Sequence, residues 1–97
     1  MTKEQRRRCR DALWHWQLLE RHPTPENACW AMALRRTAAY YERQDPIRAG
    51  IIEQRYRRHL PEQEVLDALH IGRTTYQKAT TDLLTTLAIY AAREGVL

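Results

Sequence analysis

Apolar residues recur along this chain at intervals of three and four, and no stretch shows the strict alternation of a β-strand. Cys9, Leu13, Trp16 and Leu19 form one such series, which predicts a first helix over about residues 2–21, ended by Arg21-His22-Pro23. Thr24-Pro25-Glu26 then reads as a helix start. The threonine can cap free N–H groups, the proline lacks an N–H where none is needed, and the acid meets the positive end of the helix dipole. This second helix runs to about Arg43, and its ACWAMAL segment (28–34) is apolar nearly all round, the mark of the most buried element. Asp45-Pro46 repeats the start signal for a third helix carrying Ile47, Ile51, Ile52 and Tyr56. A short fourth helix begins at Pro61 and turns Val65, Leu66 and Leu69 inward; His70-Ile71-Gly72 breaks it. The fifth runs from about Arg73 to Glu94 and stops at Gly95. The expectation is an all-α fold of five helices.

Ninety-seven residues suit one hydrophobic core, not two. Residues 1–44 then form a helical hairpin used for packing or dimerisation, and 45–97 a second helical unit, joined in one compact domain. With 43% hydrophobic and 29% charged residues the composition is that of a globular chain. No apolar run approaches the roughly 18 residues of a membrane span, and MTKEQRRRCRD lacks the apolar region of a leader, so a cytoplasmic protein with no membrane partner is expected. Cys9 and Cys29 stand alone in helical stretches and are expected as reduced, half-buried thiols. The net charge of +4 matters less than its distribution. Lys3, Arg6, Arg7, Arg8 and Arg10 face only Glu4 in the first ten residues, Arg55, Arg57, Arg58 and His59 form a second basic cluster, and Glu62, Glu64 and Asp67 follow as an acidic one.

The break at 70–72 carries most of the functional information. A nine-residue helix, a three-residue turn containing glycine and a longer helix form the pattern of a helix-turn-helix. Val65, Leu69 and Ile71 fill the inside of the corner, and Tyr76, Ala79, Leu83 and Leu87 seat the second helix against it. The outer face of that helix then consists of Arg73, Thr74, Thr75, Gln77, Lys78 and Thr81, all able to donate hydrogen bonds and none acidic.

The segment IIEQRYRRHLPEQEVLDALHIGRTTYQKATTDLLTTL (51–87) resembles region 4 of the sigma-70 family and the related helix-turn-helix of phage late-gene activators of the ArpU and RinA type. The resemblance rests on Ile51-Ile52, Arg55-Tyr56, Leu60, Glu64, Val65, Leu69, Ile71, Arg73, Tyr76, Leu84 and Leu87. The chain departs from the family at Leu66, where a small residue is usual, and at His70, where glycine usually takes the left-handed conformation. It departs again at Gly72, where serine usually caps, and at Thr80, Thr81 and Thr85, where basic residues are usual. The extra helices before Asp45 fit the phage activators better than a sigma factor. The resemblance implies a sequence-specific, double-stranded DNA-binding transcriptional regulator, a phage or prophage activator.

On that reading the helix starting at Arg73 enters the major groove. Arg73 and Gln77 suit base edges, Arg for guanine and Gln for adenine, with Thr74, Thr75 and Lys78 beside them. Arg55, Arg57, Arg58 and Thr81 suit flanking phosphates, and Arg6, Arg7, Arg8 and Arg10 a second backbone contact. The far half of the last helix (Leu83, Leu84, Leu87, Ile89, Tyr90, Ala91) is apolar on more than one side. The first two helices, with Trp14, Trp16 and Trp30, are expected to cover it, or a homodimer through the first or fifth helix, or both together. Cys9, His15, His22 and Cys29 lack zinc-ligand spacing, and no catalytic constellation stands out, so neither metal, cofactor nor enzymatic activity is expected. The alternative function is a protein-binding module that docks on RNA polymerase, a sigma factor or a repressor; a small terminase subunit is a third.

Overall fold

The computed structural model describes residues 1–97 and is all-helical, without a strand. Six α-helices replace the five expected, because the first predicted helix is broken at His15. Helix α1 (Lys3–Trp14) opens with a capping box in which Thr2 and Gln5 exchange hydrogen bonds of 3.0 Å. At His15 the backbone leaves the helical region (φ −104°, ψ 22°), and the chain restarts as α2 (Trp16–Arg21). The Trp14 carbonyl at the break accepts from His59 Nε2 at 2.9 Å, a partner 45 residues away that no local pattern could announce.

The two proline start signals act as read. Thr24 Oγ1 accepts from the Asn27 N–H at 3.1 Å and opens α3 (Pro25–Gln44). Asp45 accepts from the N–H groups of Ile47 and Arg48 and opens α4 (Pro46–Ile51). Its carboxyl is raised by burial, but the hydrogen bonds from Arg48 and Ile47 outweigh this and hold it below its ordinary value. Arg48 also pairs with Asp82, tying the start of α4 to the last helix.

The third predicted helix does not stay α-helical. From Ile52 to Arg57 it widens into a π-helical turn, closed by the Arg58 N–H donating five residues back to the Glu53 carbonyl at 3.1 Å. Ile51, Ile52 and Tyr56 are all buried across this transition. His59 then takes a left-handed backbone (φ 57°) and lays its ring on Trp14, centroids 4.0 Å apart and planes 8° from parallel.

Helix α5 (Glu62–Leu69) buries Val65 and Leu66, so the leucine that departs from the family pattern is accommodated inside. Gly50 packs against Leu69, the last residue of this helix: a Cβ there would stand 2.8 Å from Leu69 Cδ2, so a larger residue would force that side chain to shift. His70 ends α5 in the left-handed conformation (φ 55°, ψ 46°), and the Ile71 N–H closes back to the Leu66 carbonyl at 3.1 Å. Strain of about 1 kcal/mol is expected for a non-glycine there.

Helix α6 (Arg73–Arg93) is the longest element and the spine of the molecule. Its inner face, Tyr76, Ala79, Leu83, Leu84, Leu87 and Ala91, is buried, chiefly against α3 and α1. The N-terminal helices therefore cover its far half within one chain. Tyr41 of α3 fixes that contact through its hydroxyl, 2.6 Å from Thr86 Oγ1, and Arg8 of α1 donates to the Val96 carbonyl at 2.7 Å. Within 28–34, Trp30, Ala31, Ala33 and Leu34 are buried, whereas Ala28 and Met32 face out, so this stretch is one-sided and not buried all round. No helix is long and apolar enough to cross a membrane.

Both cysteines are free; Cys9 is fully buried and Cys29 partly so. Burial pushes the Cys9 thiol up to about 11, against the opposing pull of the Arg8 charge. Near neutral pH a thiol reagent should therefore label Cys29 first and Cys9 only at the rate of unfolding. Equal labelling of the two in native protein, read by intact mass, would contradict this burial.

Candidate nucleic-acid interface

The corner at His70-Ile71-Gly72 leaves α6 to start in open solvent. Gly72 has an extended backbone and no side chain to cap with, and the first turn of α6 holds no acid. The unpaired N–H groups of that turn make a weak positive pole. Arg73, Thr74, Thr75, Gln77 and Lys78 are all exposed, while Tyr76 and Ala79 between them point into the core. Helical geometry sorts these side chains: Arg73, Gln77 and Thr81 follow one another at i, i+4 and i+8 along one stripe, and Thr74 and Lys78 lie on the next. The one restraint on Arg73 is Glu62 at 3.5 Å, with both side chains largely in solvent. Surface pairs of that kind contribute about 0–1 kcal/mol, so Arg73 can be drawn to a stronger acceptor.

Three threonines further along this helix turn their protons inward. Thr80 and Thr81 donate to the Gln77 carbonyl and Thr85 to the Thr81 carbonyl, each at 3.0–3.1 Å. Thr81 as found thus offers lone pairs to a phosphate and would have to rotate to donate.

The arginines divide into engaged and free. Arg57 is engaged: its guanidinium lies 4.2 Å from the Trp16 ring centroid and 3.8 Å from Glu20. Its planar group is thus occupied by the contact with α2, so a phosphate would have to compete for it. Arg7 pairs on the surface with Glu4 and Asp11 of its own helix, and Arg8 donates to the Val96 carbonyl. Arg58 projects, 65% exposed, with Glu53 as its neighbour at 3.5 Å. Arg6, Arg10 and Arg55 have no carboxylate partner and meet at a cleft of about 530 Å³ between α1 and the N-terminal half of α6. Arg55 lies over Trp14 at 4.8 Å and donates to the Leu60 carbonyl at 2.9 Å.

Sequence reasoning treated Tyr56 and Tyr76 as core. Both are, by area, yet both also line this cleft beside Arg55. Burial pushes Tyr56 up to about 12 and raises Tyr76, so each hydroxyl keeps its proton at neutral pH. The only signal that could have marked the cleft was the i, i+4 spacing of Arg6 and Arg10 without an acid in reach. No three His, Cys, Asp or Glu side chains converge as a metal site.

Comparison with protein-family models, with curated proteins and with solved structures finds no match to this chain.

Proposed function

We propose that this protein binds double-stranded DNA sequence-specifically, as a transcriptional regulator of the phage or prophage activator kind. The first two turns of α6 would occupy the major groove. The observation that carries this reading is the exposed, acid-free start of α6 directly after a left-handed corner, with Arg73 and Gln77 on one stripe and Lys78 beside it. Arginine and glutamine are the side chains that read guanine and adenine by paired hydrogen bonds. Phosphate contacts fall to Arg58, whose one partner is Glu53 on the surface, and to Lys78, Arg6 and Arg10, which make no ion pair.

A mobility shift with promoter-length duplex at low and moderate salt tests it. Four phosphate contacts give a slope of log K against log salt of about −3.6. The absence of retardation at low salt, together with retention on immobilised RNA polymerase, would instead establish the protein-docking alternative. One observation favours that alternative: Thr80, Thr81 and Thr85 stand where the similar families carry cations, which thins the positive charge along α6.

A further inference from the structure

Three arginines, none of them in an ion pair, converge on the cleft between α1 and α6. Arg6 and Arg10 are an i, i+4 pair of like charges, an arrangement that weakens a helix unless something offsets it. Asp11 also lines the cleft, but it already pairs with Arg7 at 3.1 Å. Arg55 joins from the π-helical segment, held by the Leu60 carbonyl and the Trp14 ring rather than by an acid. Tyr56 and Tyr76 line the same space, beside Arg55. The π turn brings Arg55 and Tyr56 to the cleft together.

We propose that this cleft is a phosphate-binding site: Arg6, Arg10 and Arg55 supply the charge and the two tyrosine hydroxyls supply neutral donors. A phosphate has more acceptor oxygens than a carboxylate and can take donors from α1, the π segment and α6 at once. The cleft opens beside Thr81, at the end of the Arg73–Gln77 stripe. On the DNA-binding reading the phosphate is a backbone diester of the strand flanking the groove; a free nucleotide is the other source of the same chemistry. Only the source rests on that reading, and the site itself does not.

The test follows amide, indole and arginine Nε–H signals of the ¹⁵N-labelled full chain during titration. The probes are inorganic phosphate, adenosine 5′-monophosphate and a short duplex. Saturable shifts at Trp14, Arg6, Arg10 and Arg55 are expected, with phosphate affinity on the order of millimolar. Arg10→Gln should weaken them by about fivefold or more, whereas Arg36→Gln, the same charge change on an exposed arginine of α3, should not. Equal loss in both variants, or no response at the cleft to any probe, overturns the proposal. A nucleotide that binds far more tightly than phosphate identifies a free ligand as the source. A duplex that shifts both the α6 face and the cleft identifies the DNA backbone. A duplex that moves Arg73 to Lys78, with no cleft response to phosphate or nucleotide, sinks the cleft and spares the DNA reading; a cleft that binds phosphate while no duplex binds does the reverse.

Discussion

Leu87→Ala should lower the unfolding free energy by about 2–5 kcal/mol, a large share of the 5–15 kcal/mol typical of a domain this size. Leu87 has no solvent exposure and sits on the inner face of α6, where α1 and α3 close over the helix. Removing its branched end leaves a void that helices pinned at Tyr41–Thr86 and Arg8–Val96 cannot easily collapse to fill. Urea denaturation measures the loss, and the midpoint should fall with an unchanged slope. A change below about 1 kcal/mol would mean that the far half of α6 is not enclosed by its own N-terminal helices. Ile89 is the internal contrast: it lies on the same helix, half exposed, and Ile89→Ala should cost far less.

Arg73→Ala should erase discrimination at one base position, about 1–3 kcal/mol, while leaving the fold intact. The side chain is 66% exposed and its sole partner is Glu62, so the fold loses little when it goes. Gln77→Ala, one turn further along the stripe, should relax a neighbouring position by a similar amount. Arg58→Ala should behave differently, weakening every duplex alike and flattening the salt dependence by about one contact. Competition shifts with a selected site and single-base variants separate these outcomes. Uniform weakening by Arg73→Ala would demote it to a phosphate contact, and loss of all retardation by thermal unfolding would be visible in circular dichroism. Arg57→Ala is no test of DNA contact, because it strips the stacked cation from Trp16 and would report on stability instead.

The cleft connects these two levels. Its walls include tyrosines that belong to the core by area, and its cations are Arg6 and Arg10, which make no ion pair, and Arg55, held by the Leu60 carbonyl and the Trp14 ring.

Much of this architecture is written locally. Thr24-Pro25 and Asp45-Pro46 start helices because capping and proline geometry act within three or four residues, whatever surrounds them. The polar stripe from Arg73 to Lys78 follows equally from short-range pattern, and so do the acids beside Arg7, at Glu4 and Asp11, whereas the left-handed backbone at His70 is implied by the resemblance and not by the local residues. Tertiary structure alone decided the rest. The break at His15 is stabilised by His59, the π turn packs Ile52 and Tyr56 inward, and Arg57 is captured by Trp16 and Glu20, each a contact across tens of residues. Periodicity tells which face of a helix is apolar, but which arginine stays free depends on what the folded chain brings against it. That is a matter of distance in space, and no spacing along the chain encodes it.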